Sequence, residues 1–257
     1  MKKFEIDPEE VKEKLVKFIR EEVQKRGFSR GILGLSGGVD SATVAVLSAL
    51  ALGHENVRGI IMPYKTIPEE SIEHAQALVK MLGINSQTID ITLIVDSYFT
   101  QFPDAGKIRQ GNKMARERMS ILYDLSAKYD ALVIGASNKS ELLLGYGTIY
   151  GDIACAIMPL GDLYKTQVRS LARHLGVPEE IIQKAPSAEL WQGQTDEGEL
   201  GLTYEEVDRL LYQMIDCESS NDELKSCGFE ENFIKKVSER VKKMEFKRRL
   251  PLIPRIL

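Results

Sequence analysis

A glycine-rich hexapeptide, Ser36–Ser41 (SGGVDS), stands between a strand-like and a helix-like stretch of the chain and so restricts the possible folds. The apolar run Gly31–Leu35 (GILGL) precedes it, and a helical pattern follows it as far as Leu52. Two adjacent glycines let the backbone turn sharply and approach a ligand closely. The start of a helix adds its dipole and free N–H groups. The pattern predicts a phosphate site, although the two glycines alone also fit a tight βα turn without a ligand.

The other residues of the hexapeptide sharpen this prediction. Ser36 and Ser41 add hydroxyl donors, whereas Asp40 places a carboxylate where phosphate is expected. A carboxylate there is unfavourable unless a cation bridges it to the phosphate, and Mg²⁺ suits such oxygen ligands. The chain has neither the GxxxxGK[ST] pattern of a Walker P-loop nor a GxGxxG dinucleotide fingerprint.

Alternation of strands and helices defines the expected fold class. Further strands are predicted at Val57–Met62, Ser86–Ile89 and Ala131–Ile134, with helices between them at about 68–82, 92–100 and 108–128. Such alternation is typical of βαβ units and a parallel sheet. Since Gly31–Leu35 is apolar on both faces, its strand is expected at the centre of the sheet.

The remainder of the chain is predicted to be helical. A first helix begins at Asp7-Pro8 and ends at Gly27, and after about residue 160 helices are expected at 165–175, 203–216 and 230–244. We therefore predict an α/β fold: an open, mostly parallel twisted sheet flanked by helices, with a helical C-terminal extension. It forms a single domain, 1–257, with a core at about 28–165 and the helical part at about 166–257. Gln192–Gly201 (QGQTDEGELG) is either a lid or a plain Ω-loop.

Charge and cysteine content exclude several classes of protein. The net charge of −4 does not favour a nucleic-acid partner, which usually attracts a basic protein. Three cysteines without a CxxC pair fit a reducing compartment and neither a disulfide framework nor a zinc site. No signal peptide or run of about 18 apolar residues is found, so we expect a cytoplasmic protein with no membrane segment.

Several downstream segments carry candidate ligand-binding residues, each with a structural alternative. Arg116, in the helical segment NKMARERM, suits a phosphate or carboxylate but also fits a solvated helix face. Glu141, in GASNKSE, follows a strand and is a second candidate metal carboxylate, whereas Asn138 or Ser137 there could simply cap a helix. Lys165, in PLGDLYKTQVR, is a candidate triphosphate ligand or a surface lysine.

The hexapeptide on its strand–loop–helix resembles the pyrophosphate loop of the N-type ATP pyrophosphatases. Together with the segments above and with PSAEL, GQTDE and FKRR, in this order, the chain from about Gly31 to Arg249 is similar to the ammonia-dependent NAD synthetases. The resemblance implies an adenine nucleotide α-hydrolase-like fold with ATP and Mg²⁺ at the site. It assigns the metal to Asp40 and Glu141, and it assigns ATP to Gly34, Leu35, Ser36, Gly37, Gly38, Val39, Asp40, Ser41, Ala136, Lys165 and Ser187.

The same resemblance implies the second substrate and the reaction. Arg116, Phe246 and Lys247 are expected to bind deamido-NAD, and Asp152 is carried as a hypothetical ammonium-binding carboxylate. Asp40, Lys165 and Asp152 are the expected catalytic residues, and family members are homodimers. The nicotinate carboxylate would attack the α-phosphate of ATP, release pyrophosphate, and give its amide when ammonia displaces AMP.

Departures from the family pattern leave other acceptors open. Ile149 and Ala156 stand where the family has a lysine and an aspartate, Phe246 stands where histidine is common, and Ala136 stands where threonine is common. The alternatives are a GMP-type or tRNA-modifying synthetase with the same loop, or a non-catalytic ATP-binding module. Because the loop begins at Ser36, little sequence precedes it for a glutaminase domain, so free ammonia or a separate glutaminase subunit is the expected nitrogen source.

Overall fold

Four parallel strands form one sheet in a computed structural model of the protein, which describes residues 4–191, 193–249 and 251–256. The strands are β1 (Arg30–Gly34), β2 (Val57–Ile61), β3 (Asn85–Thr88) and β4 (Ala131–Val133), in the order β3-β2-β1-β4. All four lie within two residues of their predicted positions, and β1 is central as predicted. Beyond β4, Ile134 forms one isolated parallel bridge to Ile157.

Twelve α-helices are found in the described residues. They are α1 (Pro8–Lys25), α2 (Val39–Leu52), α3 (Glu69–Leu82), α4 (Thr92–Phe99), α5 (Lys107–Tyr129), α6 (Lys139–Leu144), α7 (Lys165–His174), α8 (Glu179–Gln183), α9 (Asp196–Leu200), α10 (Tyr204–Leu211), α11 (Asn221–Ser226) and α12 (Glu231–Lys243). Short 3₁₀ turns lie at His54–Asn56 and Glu245–Arg248, and α10 runs on into a π-type turn, Tyr212–Asp216. The short helices α8, α9 and α11 were not predicted, and α6 was considered only as the helix that Asn138 or Ser137 could cap.

The first helix shows how local sequence sets an element boundary. The Asp7 carboxylate accepts hydrogen bonds from Glu9 N and Glu10 N, and Pro8 occupies the first turn. Proline is favoured there because its missing N–H would have no intrahelical partner. Gly27, with a φ of 82°, follows the last turn. Both predicted boundaries of this helix are therefore confirmed.

Two apolar clusters cover the two faces of the sheet. Ile32 of β1 packs in a cluster with Met114, Met119 and Leu122 of α5. Leu33, one residue later, belongs to the opposite cluster, which includes side chains of α1, α2 and α7. This alternation follows from the two-residue period of a strand. It explains why β1 is apolar on both faces.

A third apolar cluster joins the C-terminal helices to the middle of the chain. Tyr204, Leu210 and Leu211 of α10 pack with Leu144 of α6 and with Tyr164, just before α7. The C-terminal helices thus abut α6 and α7, the two helices that start beside the sheet edge described next. Among the helices of the described ranges, none combines the length and apolar character needed to cross a membrane.

Candidate functional site

The glycine-rich loop lies at the carboxyl end of β1, where α2 begins. Its serines hold it in shape: Ser36 Oγ lies 3.1 Å from Ser41 Oγ and accepts from Gly38 N at 3.2 Å. Gly37 has a φ of +78°, and a Cβ on it would lie 2.1 Å from the carbonyl oxygen of Ser71. Only glycine fits this position without a backbone shift. The N-terminal N–H groups of α2, which lack intrahelical acceptors, make the loop suitable for an anion.

Three elements bring Asp40, Glu141 and Lys165 together. Lys165, the first residue of α7, bonds Asp40 of α2 through Nζ and lies 3.0 Å from Oε1 of Glu141 on α6. Asn138, the N-cap of α6, donates from Nδ2 to Asp40 Oδ1 at 2.8 Å. The lysine is 3% exposed, so it is not a surface side chain. The predicted metal carboxylates are thus neighbours, bridged in this structure by a buried ammonium group.

Burial and charge act in opposite directions on this cluster. Burial alone would lower the pKa of Lys165, but the carboxylates of Asp40 and Glu141 outweigh it and raise that pKa, so Lys165 is a cation. Burial raises the pKa of Glu141 to about 8, which the charge of Lys165 opposes and that of Asp40 reinforces. The buried carboxyl of Glu141 therefore favours a nearby cation whenever it is ionised.

The cluster opens into a cavity of about 540 Å³ at the carboxyl edge of the sheet. Open α/β sheets bind ligands at this edge. Most of the predicted site residues line the cavity: Gly34, Leu35, Ser36, Gly38, Val39, Asp40, Ser41, Ala136, Glu141, Asp152, Lys165, Ser187 and Lys247. Predicted site residues that are more than 200 positions apart in the sequence thus line the same cavity.

The side of the cavity expected to bind the acceptor holds Lys247, one of the three predicted acceptor residues, and Asp152, the predicted ammonium-binding carboxylate. Lys247 Nζ donates to Gly145 O and Gly147 O, at 2.8 Å each. Asp152 accepts from Thr148 N at 2.9 Å. Its carboxyl is accessible from the cavity, but the surrounding protein raises its pKa, an effect that the Thr148 bond and the charge of Lys247 reduce.

Two predicted acceptor residues lie outside the cavity lining. Arg116 is exposed, donates from Nε to Ile149 O at 3.2 Å, and lines a neighbouring shallow cleft with Lys107 and Arg109. Phe246 is 58% exposed. Ile149 and Ala156, like Phe246, are not part of the lining. Three of the four departures from the family pattern therefore lie outside the main cavity, whereas Ala136 is part of its lining.

The segment after α8 contributes to the lining of the cavity from Lys184 to Trp191 and at Gln194 and Asp196. Asp196 N donates to Pro186 O at 2.9 Å, and Ser187 Oγ donates to Gln194 O at 2.8 Å. Lys184 Nζ lies 2.6 Å from both Ser71 Oγ and Glu189 Oε1. Of the expected loop Gln192–Gly201, Gln192 lies outside the described residues, and the rest is not a plain loop, because Thr195 caps the short helix α9.

Asp196 and Arg118 are among the cavity residues that the sequence reasoning missed. Asp196 is 3% exposed, and its Oδ1 has no hydrogen-bond partner among the described residues. Arg118 donates from Nε to Met62 O at 3.1 Å, while its buried Nη2 likewise lacks a partner there. Burial lowers the pKa of Arg118 to about 10. GQTDE and NKMARERM contain these residues, but nothing in the sequence ranks Arg118 above Arg116.

Comparison with protein families gives an independent view of the same chain. Residues 11–251 match the family model described as NAD synthase. A protein of Trichlorobacter lovleyi named NH(3)-dependent NAD(+) synthetase is 52% identical over all of this chain and 94% of its own length. A protein of Fusobacterium nucleatum with the same name is 50% identical, covering all of this chain and 99% of its own.

Solved structures show the same similarity. The NH3-dependent NAD synthetase from Campylobacter jejuni superposes with a TM-score of 0.84 at 38% identity, covering 97% of this chain and 100% of its own. An NMN synthetase from Francisella tularensis superposes with a TM-score of 0.87 at 33% identity, covering 97% and 99%. The similarity spans the sheet, the cavity and the C-terminal helices.

Proposed function

The chain belongs to the NAD synthase family, and we propose from that premise that it is an ammonia-dependent enzyme that amidates deamido-NAD to NAD. ATP supplies the driving force and leaves as AMP and pyrophosphate. The observation that carries the proposal is the convergence of the phosphate loop, the Asp40–Lys165–Glu141 cluster and Asp152 on one cavity.

The donor set around Lys165 fits Mg²⁺ that arrives with ATP. Asp40 and Glu141 offer carboxylate oxygens, which Mg²⁺ prefers, and both already contact one cation. Across the described residues, no group of three or more acidic, histidine or cysteine side chains could hold a metal by itself. Phosphate oxygens and water are needed to complete the shell. When bound, the ion would neutralise charge on the phosphates and hold them in line for attack.

The protein groups have distinct duties in the first step. The nicotinate carboxylate attacks the α-phosphorus of ATP, and the bond from that phosphorus to the β-phosphate bridging oxygen breaks. An acyl adenylate forms and pyrophosphate leaves. The N–H groups of Ser36–Ser41 would bind the departing oxygens, and Lys165 would add its positive charge to them. Catalysis of this kind rests on orientation and preorganised charge and needs no covalent nucleophile.

Ammonia completes the reaction at the carbonyl carbon. Attack by its nitrogen expels AMP from the adenylate and gives the amide, and the nitrogen loses a proton. Asp152 supports this step, because it lines the cavity and its carboxylate would bind ammonium and accept that proton. The segment after α8 would keep water from hydrolysing the adenylate before ammonia arrives.

A homodimer and a cytoplasmic location complete the proposal. Several large apolar side chains of α4 and α5 are exposed, including Leu93 at 80% and Ile108 at 72%, as expected of an interface between subunits. Tyr98 and Tyr123 lie on the same two helices and are more than 40% exposed. Arg116 also belongs to α5, so the cleft beside it would lie near the partner subunit. Three free thiols are consistent with a reducing compartment.

The proposal is tested by comparing acceptors. The protein is incubated with ATP, Mg²⁺ and ammonium, together with deamido-NAD, nicotinate mononucleotide, xanthosine monophosphate or no acceptor. Equal amounts of AMP and NAD with deamido-NAD alone are expected. AMP formed only with another acceptor would keep adenylation but change the substrate. ATP binding without AMP formation in any mixture would leave a non-catalytic nucleotide-binding protein.

A pair of lysine variants makes the assay specific to the cavity. Lys165→Met should reduce turnover by at least about a hundredfold, since it removes the charge beside the leaving phosphates. Lys14→Met removes an exposed lysine of α1 that pairs with Glu10 at the surface, and it should leave turnover unchanged.

A further inference from the structure

A buried carboxylate outside the cavity contacts the starts of both helices that carry Glu141 and Lys165. Asp208 of α10 is 0% exposed. Its Oδ1 accepts from Ser140 Oγ at 2.5 Å, and its Oδ2 accepts from Thr166 N and Thr166 Oγ1, at 2.9 Å each. Asp208 is not part of the cavity lining, so it does not reach the place where substrates would bind.

These bonds fix the backbone on either side of the functional side chains. Ser140 immediately precedes Glu141, and its Oγ also accepts from Lys165 N at 2.9 Å. The first two backbone N–H groups of α7 are therefore both linked to Asp208. Thr166 N donates to it directly, and Lys165 N donates to the Ser140 hydroxyl, which in turn donates to Asp208. A negative charge at the start of a helix is favoured by the helix dipole.

A second carboxylate of the same C-terminal segment repeats the arrangement. Asp216 lies 2.8 Å from Lys139 Nζ and accepts from Tyr164 Oη at 2.5 Å. In a regular α-helix, side chains eight residues apart differ in direction by roughly 80°. The π-type turn Tyr212–Asp216 departs from this regular geometry, and Asp216 contacts the starts of the same two helices as Asp208. Both acids thus contact residues that lie within two positions of Glu141 or Lys165.

Burying a carboxylate costs desolvation free energy even when it is hydrogen-bonded. Neutral side chains could make a purely structural contact here at a lower desolvation cost. An ionised acceptor gives shorter and stronger hydrogen bonds than a neutral one. The gain is a precise placement of α6 and α7 relative to each other, which the Asp40–Lys165–Glu141 cluster requires.

We propose that Asp208 is a positioning residue, which sets the distance between Glu141 and Lys165 through Ser140 and Thr166. The inference rests on the proposed function only in assigning Mg²⁺ and ATP to that cluster. It gives the helical C-terminal part a role in the reaction although Asp208 contacts no substrate. Loss of the carboxylate should loosen the metal–phosphate site without altering acceptor binding.

The test compares Asp208→Asn with Glu205→Gln in the full-length protein. Glu205 also joins α10 to α7, through Arg169 at 2.6 Å, but away from the start of α7. In Asp208→Asn, kcat should fall about 10- to 100-fold, and the Mg²⁺ concentration for half-maximal activity should rise, as for other groups that support metal ligands. KM for deamido-NAD should stay within about twofold. Glu205→Gln should match the wild type in all three.

A second variant tests the same link in case Asp208→Asn does not fold. Ser140→Ala removes the hydroxyl that links Asp208 to Lys165 N and should reproduce the kcat loss in part. Combined with Asp208→Asn, it should add little to that variant's kcat loss, because both remove the same link. Full additivity of the two losses, or a folded Asp208→Asn protein with wild-type kcat and Mg²⁺ dependence, would overturn the proposal.

A binding measurement separates this inference from the proposed function. Calorimetric titration with ATP, with and without Mg²⁺, needs no acceptor. Asp208→Asn should weaken binding about tenfold only when Mg²⁺ is present. Equal binding by variant and wild type would contradict the role of Asp208 even if NAD is formed. A wild type that binds Mg²⁺ and ATP but makes no NAD would instead contradict the proposed function.

Discussion

Asn138 begins α6 and orients Asp40 with the same side chain. Its Oδ1 accepts from Glu141 N at 3.0 Å, and its Nδ2 donates to Asp40 Oδ1 at 2.8 Å across 98 residues of sequence. The capping interpretation and the metal-site interpretation of GASNKSE are therefore compatible. The cap that starts the helix also fixes one carboxylate of the candidate metal pair relative to the other.

Asn138→Ser should separate these two duties. Serine is as good an N-cap as asparagine but is too short to donate to Asp40, so the free energy of unfolding should change by less than about 1 kcal/mol. The Mg²⁺ concentration for half-maximal activity should rise about tenfold. Asn85→Ser, which alters an exposed amide bonded to Glu55 O, is the control. An unchanged Mg²⁺ requirement in Asn138→Ser would show that Asp40 needs no such partner.

Gly37→Ala should destabilise the phosphate loop by more than the cost of a positive φ alone. A Cβ at this position would lie 2.1 Å from Ser71 O, in addition to the cost of a φ of +78°. Gly176→Ala is the matched control, because its φ is +74° but nothing lies within 4 Å of an added Cβ. The control should lose about 1 kcal/mol of unfolding free energy and no ATP affinity. Gly37→Ala should lose more unfolding free energy than Gly176→Ala, measured by urea unfolding. It should also lose ATP affinity, measured by titration. Equal losses would contradict the close approach.

The fold was largely predictable from the sequence because its signals are local. The apolar runs that became β1, β2 and β4 are short, and the alternation with helices required a parallel sheet. The loop Ser36–Ser41 was identifiable because its glycines and its place before α2 are adjacent in sequence. The strand ends differ from the predicted ones by at most one residue, since the last pairings depend on neighbours such as Leu35 N bonding to Ile60 O.

Lys184→Met should release the segment after α8 that lines the cavity. Lys184 bonds Ser71 Oγ and pairs with Glu189, so it ties the segment to the start of α3. Without it, water should reach the adenylate, and the ratio of AMP to NAD should rise above one. Arg173→Met removes a pair with Glu179 in which both side chains are at least half exposed, and it should leave the ratio at one. A ratio of one in Lys184→Met would mean that this ion pair does not exclude water.

Parts of the site could not be predicted, for identifiable physical reasons. Asp208 acts across the fold on Ser140 and Thr166, and no spacing in the sequence encodes that contact. Arg116 and Arg118 are two residues apart on one helix, so only the packing of α5 determines that Arg118 faces the cavity. Helix α9 is only five residues long, and its sequence DEGEL, with three acidic residues and a glycine, has a composition typical of a loop.

The free energy of unfolding should depend on pH because the carboxyl of Asp208 is buried. Burial raises its pKa to about 6 from an ordinary 3.8, and the hydrogen bonds from Ser140 and Thr166 and the charge of Lys165 only partly oppose this. The native state thus binds the proton more tightly than the unfolded chain does. The stabilising effect of the protonated form is complete below about pH 4 and is lost as the pH rises through about 6.

The wild type should therefore lose stability relative to Asp208→Asn between pH 4.5 and 7.5, by at most about 3 kcal/mol. Urea unfolding of both proteins across this range gives the difference, in which groups common to both cancel. A difference that is independent of pH, or that favours the wild type as the pH rises, would contradict the unfavourable burial of the charged form.

The most direct test follows oxygen from the acceptor into AMP. Deamido-NAD labelled with ¹⁸O in both carboxyl oxygens is converted with ATP, Mg²⁺ and ammonium, and the products are analysed by mass spectrometry. Attack of the carboxylate on the α-phosphorus predicts one labelled oxygen in AMP for each NAD formed, with the other kept in the amide. Label in pyrophosphate or inorganic phosphate, or no label in AMP while NAD accumulates, would contradict adenylation in this cavity.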